Sequence, residues 1–248
     1  MGGKNHEAEL TRLLVDWLRQ RGEEAKTTGV VFGLSGGIDS AVAGALCKRA
    51  YPDSSLGLIL PCHSIPQDVQ DAELVAKTFQ LETKTIKLDQ IYDSLKAKLD
   101  VPPDEARAGF CRMALANLKP RLRMLVLYYY ANINNYLVVG TGNRSELTVG
   151  YFTKYGDGAA DLLPLGNLVK GQVKALAAYL GVPEKIISKP PSAGLWENQT
   201  DEGEMGISYN QLDRYLLEGE VPPEIKEKIE EMRNRSEHKR RMPPVPPF

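Results

Sequence analysis

The sequence predicts an α/β fold, a doubly wound and mostly parallel sheet with helices on both faces. Two observations predict it. Short apolar runs bounded by Gly, Pro or polar residues recur at 29–35, 55–61, 83–88 and 136–142, as strands do. Segments with helical spacing of their apolar residues lie between them, so the strands follow one another as right-handed βαβ units in a sheet covered on both sides. At 248 residues the chain suits one compact domain, 1–248, rather than two.

In order along the chain, Leu10, Leu13, Leu14, Trp17 and Leu18 stand at helical spacing with charges between them, which predicts an amphipathic helix ending near Gly22. GVVFGLS (29–35) is a buried strand that turns through Gly36 and Gly37 into a helix rich in alanine. SLGLILP (55–61) and TKTIKL (83–88) are the next strands, with a helix over 68–80 between them and another near 90–99. VPPDEARAG (101–109) reads as a loop because two prolines break any regular element. Helices are expected over 107–119 and 121–134, parted by Pro120. The second carries LRMLVLYYY, apolar on nearly every side, and belongs to a central core or a subunit contact. YLVVGTG (136–142) is the fourth strand, and the Gly-rich stretch 143–167 is too long for a bland connector. A helix over 170–181 follows, then an aperiodic stretch, helices at 207–217 and 223–234, and a flexible basic and Pro-rich tail from about 236 to 248.

Composition excludes several classes of function. Hydrophobic residues at 42% and charged residues at 25% match an ordinary globular protein. A formal charge of -1 supplies no basic field for nucleic acid, so any anionic ligand must be held locally. Cys47, Cys62 and Cys111 lack paired spacing, which argues against a disulfide framework or zinc site and for a reducing cytoplasmic home. No apolar leader and no run of roughly 20 apolar residues is present, so no membrane span is expected.

The chemistry concentrates in GLSGGIDS, comprising Gly33, Leu34, Ser35, Gly36, Gly37, Ile38, Asp39 and Ser40. It sits where the first strand ends and a helix begins, the edge at which such sheets bind ligands. Backbone N–H groups of Ser35, Gly36 and Gly37, hydroxyls of Ser35 and Ser40, and the positive end of the helix suit a pyrophosphate. Asp39 beside a phosphate is repulsive unless Mg²⁺ bridges the two. A bare glycine pair fits a capped turn equally well. The spacing is neither a Walker A loop nor GxGxxG.

SGGIDS resembles the PP-loop, SGGxDS, of the ATP pyrophosphatase superfamily, whose Rossmann-like, adenine nucleotide alpha hydrolase-like members adenylate a substrate with release of pyrophosphate. TGNRSELTVGYFTKYGDGAADLLPLGNLVK (141–170), KPPSAGLWENQTDEGEMG (189–206) and HKRRMPP (238–244) are similar, in the same order, to signatures of ammonia-dependent NAD synthetases. The resemblance implies ATP-dependent amidation of deamido-NAD by ammonia through an adenylate, with release of AMP and pyrophosphate, as the last step of NAD biosynthesis. It implies Mg²⁺ on Asp39 and Glu146, and ATP contacts from the PP-loop, Thr141, Lys170 and Ser192, with Asp39, Lys170 and Ser192 as the catalytic set. It implies deamido-NAD contacts from Arg121, Lys154, Asp161, His238 and Lys239, and Asp157 is a further candidate. Relatives of this kind are homodimers with the deamido-NAD site at the subunit boundary. Two departures stand out: Ser192 replaces a common Thr and keeps the hydroxyl, whereas Gly194 replaces a common Asp and loses a carboxylate. Glutamine-dependent relatives carry an added amidase domain, for which the sequence before the first strand leaves no room. Without the resemblance, His238 and Lys239 read as a solvated basic tail, and Glu146 and Lys170 as surface charges.

Overall fold

A computed structural model describes residues 2–100, 108–192, 194 and 199–248. Strands β1 (Gly29–Gly33), β2 (Ser55–Ile59), β3 (Glu82–Thr85) and β4 (Tyr136–Val139) form a parallel sheet ordered β3-β2-β1-β4. Three of them lie within the anticipated runs, and β3 overlaps its run, beginning one residue before it and ending at Thr85. Val30 and Phe32 of β1 join the core on one face and Val31 joins the core on the other, all three fully buried, as a doubly covered strand requires.

One face is covered by α1 (Gly2–Ala25), α2 (Ile38–Ala50), α3 (Pro66–Phe79) and α7 (Lys170–Leu180), which share a core with Val30, Phe32 and Leu34. Ten of the thirteen α2 residues are buried, so small side chains are needed on every side. Gly44 shows why: a Cβ there would lie 2.9 Å from Phe32 Cε2. Cys47 is a fully buried core thiol in this helix. In α1, Val15 and Leu18 are buried whereas Leu13, expected on the packed face, is half exposed.

The other face is covered by α4 (Asp89–Lys96) and α5 (Ala108–Asn134). The two helices expected on either side of Pro120 are one continuous helix. Proline costs a backbone hydrogen bond there, but Ala116, Leu122 and Ala131 on both sides of it are buried, and Pro120 itself is buried. Tertiary packing therefore overrides the local break. Burial of this helix on several faces does not hold within one chain: Leu125, Tyr129 and Ile133, at helical spacing, are each about 60% exposed.

Beyond the sheet, α6 (Arg144–Val149), α9 (Asp201–Met205), α10 (Tyr209–Glu218) and α11 (Pro223–Arg235) bury a third cluster of Val149, Met205, Ile207, Tyr209, Leu212 and Ile229. A short α8 (Glu184–Ile187) follows α7. The five-residue α9 lies in the stretch that showed no periodicity; the Thr200 hydroxyl caps it by accepting from Gly203 N. The expected loop at 101–109 lies largely outside the described residues, as do 193 and 195–198. The tail is also shorter than expected. Ser236 is buried, Glu237–Lys239 form a 3-10 turn, and Arg240 Nη1 donates to Leu147 O at 3.1 Å; only from Arg241 onward are all residues exposed. Among the described residues no helix is long and apolar enough to cross a membrane.

Candidate functional site

The strand order sets the location. β2 and β3 follow β1 on one side, and the chain then crosses from β3 to β4 on the other side of β1, so the strand order reverses between β1 and β4. A crevice opens outside the carboxyl ends of strands at such a switch point. The chain delivers residues 34–37 from β1 and Gly140, Thr141 and Gly142 from β4 to that crevice.

The bend after β1 is held open by its own hydroxyls. Ser35 Oγ donates to Ser40 Oγ at 3.1 Å, Ser40 Oγ donates to Gly37 O at 2.9 Å, and Gly37 N donates to Ser35 Oγ at 3.3 Å. Gly36 adopts φ of 81°, and a Cβ there would lie 2.4 Å from Asp68 O, so the residue must be glycine for both conformation and space. Asp68 also ties in a distant segment. Lys189 Nζ donates to Asp68 Oδ1 and to Asp71 Oδ2, each at 2.7 Å, and a Cβ on Gly194 would stand 3.5 Å from Asp68 Oδ2. Ser192, exposed and accepting from Gly194 N at 3.2 Å, is thereby held beside the turn of α3 that closes over Gly36. Gly194 has φ of 61°, and a carboxylate in its place would face Asp68, which accounts for glycine at this position.

Next to the bend the structure brings Asp39, Glu146 and Lys170 together. Lys170 Nζ donates to Asp39 Oδ2 at 2.6 Å and to Glu146 Oε1 at 3.1 Å, and its side chain is only 2% exposed. A lysine in the first turn of a helix is the wrong sign for the dipole, so the two carboxylates, not the helix, account for its place. Burial works to lower the Lys170 pKa, but Asp39 and Glu146 outweigh it and leave it raised. Burial, partly offset by Lys170 and reinforced by Asp39, raises Glu146 to about 7.

Four supporting residues escaped the sequence reading. Asn143, fully buried, donates from Nδ2 to Asp39 Oδ1 at 2.9 Å, while its Oδ1 accepts from Glu146 N at 3.0 Å. It thus caps α6 and orients both carboxylates; the Asn-x-x-Glu spacing of a capping box was its readable signal. Ser145 Oγ donates to Asp213 Oδ1 at 2.6 Å and accepts from Lys170 N at 3.1 Å. Asp213 Oδ1 accepts from Lys170 N at 3.3 Å and Oδ2 from Gly171 N at 2.7 Å, so a carboxylate on α10 caps α7 where Lys170 begins it. Tyr209 lays its ring 4.8 Å from Lys170 Nζ. No local pattern announces Ser145, Asp213 or Tyr209. We expect Asp213→Ala to cost about 1–2 kcal/mol, the usual loss for a helix cap, and to lower Tm by roughly 2–8 °C; thermal denaturation checks it.

A second cluster gathers the other predicted residues. Arg121 Nη2 donates to Lys154 O at 3.4 Å, Lys154 Nζ donates to His238 O at 2.6 Å, and Lys239 Nζ donates to Gly150 O at 2.7 Å and Phe152 O at 2.8 Å. The 238–239 segment is docked by these bonds rather than solvated. Asp161 stands apart from that chain of contacts: Oδ2 accepts from Val138 N at 2.7 Å and Oδ1 from the Tyr128 hydroxyl at 3.3 Å, which fastens the Gly-rich loop to β4. Asp157 Oδ1 accepts from Thr153 N at 2.9 Å. Thr141, Glu146, Phe152 and Asp157 line a small cavity of about 40 Å³ between the two clusters.

Known proteins resemble this chain over nearly its whole length. The pattern describing the NAD synthase family matches residues 10–243. An NH3-dependent NAD synthetase of Carboxydothermus hydrogenoformans is 53% identical over 239 residues, covering 96% of this chain and 97% of that one. The structure of an NMN synthetase from Francisella tularensis superposes with a TM-score of 0.90 at 41% identity, over 98% of this chain and 99% of that one. An NH3-dependent NAD synthetase from Campylobacter jejuni, solved with nitrate ion, gives 0.78 at 31% identity, over 96% and 98%. With nearly the whole chain matched and the glycine bend, the paired carboxylates and the buried lysine in one crevice, the chain belongs to the NAD synthase family.

Proposed function

We infer that the protein joins ammonia to the nicotinate carboxylate of deamido-NAD at the expense of ATP, forming NAD, AMP and pyrophosphate. The observation that carries this reading is the crevice at the sheet's switch point, where the 35–37 bend faces Asp39, Glu146 and Lys170.

The bend offers backbone N–H groups and the start of α2 to the leaving diphosphate. Lys170 neutralises charge as the adenylate forms, and its cap by Asp213 and Ser145 fixes it before substrate arrives. Ser192 and Thr141 supply hydroxyls at the crevice rim. Asp39 and Glu146 would hold Mg²⁺, which neutralises phosphate charge when bound. The donor set fits, because Mg²⁺ is usually held by one or two carboxylates plus phosphates and water, and the pair already gathers around a cation. Among the described residues no cluster of three acidic, His or Cys side chains forms an all-protein metal cage. Arg121, Lys154, His238 and Lys239 offer cationic and hydrogen-bonding groups to the dinucleotide, with Asp161 at the α5 edge of that site.

The exposed row of Leu125, Tyr129 and Ile133 on α5, next to Arg121 and Tyr128, is the surface through which two copies pair. The dinucleotide site then lies at the subunit boundary.

The test supplies purified protein with ATP, Mg²⁺, deamido-NAD and either ammonium or glutamine. Amide forms with ammonium and not with glutamine alone; Asp39→Asn and Glu146→Gln each lower the rate by about 10²-fold or more. Full activity in both variants would remove the metal assignment. The likeness to an NMN synthetase favours a second reading, amidation of the mononucleotide. Nicotinate mononucleotide in a parallel arm decides between them by its kcat/KM against that of deamido-NAD.

A further inference from the structure

We propose that the buried carboxylate of Asp201 seats the nitrogen donor, taken up as the ammonium ion; this rests on the amide-forming reading above and deepens it. Asp201 opens α9 and is 4% exposed. Its Oδ2 accepts from the Tyr209 hydroxyl at 2.9 Å, but its Oδ1, also buried, has no hydrogen-bond partner among the described residues. An unmet buried polar atom costs about 1–3 kcal/mol, and more when charged. With the Tyr209 and Tyr151 hydroxyls each shared with another acid, the carboxylate keeps an open acceptor for a further donor.

The surroundings specify the donor's charge. The Tyr209 hydroxyl stands 3.2 Å from Glu146 Oε1 as well, so one phenol separates two buried carboxylates, with Asp39 beyond. The ammonium of Lys170 donates to Asp39 and Glu146, the pair that would hold Mg²⁺, and to neither oxygen of Asp201. A neighbouring hydroxyl, that of Tyr151, lies between Glu204 Oε2, at 2.5 Å, and the Asp201 carboxylate, so its one hydrogen is shared between two acids. A small cation with N–H donors answers both the unmet Oδ1 and the charge of the Asp201 carboxylate.

Position adds the last argument. Through Tyr209 the carboxylate touches the Asp39, Glu146 and Lys170 group; Tyr151, beside it, directly follows Gly150 and precedes Phe152, the residues on which Lys239 docks. Asp201 thus sits where the ATP cluster and the dinucleotide cluster meet. There the seated ammonium passes one proton to the Asp201 carboxylate, and the ammonia so formed attacks the acyl carbon of the adenylate. The bond from that carbon to the AMP oxygen breaks, and AMP and a second proton leave as the amide forms.

The experiment measures amide formation against ammonium concentration, and separately the deamido-NAD-dependent exchange of labelled pyrophosphate into ATP without ammonium. In Asp201→Asn, KM for ammonium rises about tenfold or more, equivalent to about 1.4 kcal/mol, while KM for ATP and the exchange rate stay within a few fold. An unchanged ammonium KM, or exchange lost in parallel with amide formation, overturns the proposal. Thermal denaturation of the wild-type protein in ammonium chloride against potassium chloride at equal ionic strength gives a second arm that needs no variant. Added stabilisation by ammonium supports the seat, and equal effects of the two salts overturn it. Absence of exchange in the wild-type protein would instead overturn the amide-forming reading itself.

Discussion

Replacing Lys170 with methionine should lower the rate of pyrophosphate release by about 10²–10³-fold, the usual loss when one preorganised charge-stabilising group is removed. The side chain is 2% exposed and its ammonium lies within 3.1 Å of both Asp39 and Glu146, so no solvent cation or neighbouring lysine replaces it without rearrangement. The substitution also leaves two largely buried carboxylates facing one another. Stability should therefore fall by about 3 kcal/mol, as when one partner of a buried ion pair is removed. Adding Asp39→Asn to Lys170→Met should return part of that stability and none of the activity. A double-mutant cycle in Tm and in initial rate separates the two effects. If Lys170→Met alone keeps near wild-type turnover, the ammonium serves packing and not chemistry.

Gly36→Ala should be the more damaging of two adjacent glycine substitutions. At φ of 81° an L-residue is strained by roughly 1–2 kcal/mol, and its Cβ would approach Asp68 O to 2.4 Å, a backbone atom that cannot swing aside. A Cβ at Gly37 meets only Ser35 Oγ, at 3.4 Å. Gly36→Ala should lower Tm by roughly 4–10 °C for a chain of this size and abolish ATP binding together with it. Gly37→Ala should leave Tm nearly unchanged and weaken ATP binding alone, because it adds a methyl only on the face that receives phosphate. Thermal denaturation with and without ATP distinguishes them. Equal losses of Tm would show that the bend is not clamped by α3.

What the sequence disclosed follows the range of the interactions. β1, the bend after it and α2 are written within about twenty residues, as an apolar run, two glycines and an alanine-rich helix, and they appear where expected. α7 likewise begins at Lys170 and closes at Gly181. Local breakers misled wherever tertiary packing was stronger, as at Pro120, which α5 passes through because the residues on both sides are buried. The strand order was not legible, since nothing near β4 states that it pairs with β1 rather than β3. The supporting network was hidden for the same reason: Asp213 caps a helix 42 residues away and Asn143 reaches Asp39 across 104. The 238–239 segment looked solvated because its anchors, the carbonyls of Gly150 and Phe152, lie more than eighty residues earlier and carry no side-chain signal.

Determining where ATP binds tests the account most directly. In crystals soaked with ATP and Mg²⁺, density for the β- and γ-phosphates should lie against the backbone N–H groups of residues 35–37, with the metal between Asp39 and Glu146. Nucleotide density seated elsewhere, with the 35–37 bend empty, would contradict the reading of this crevice as the adenylating centre.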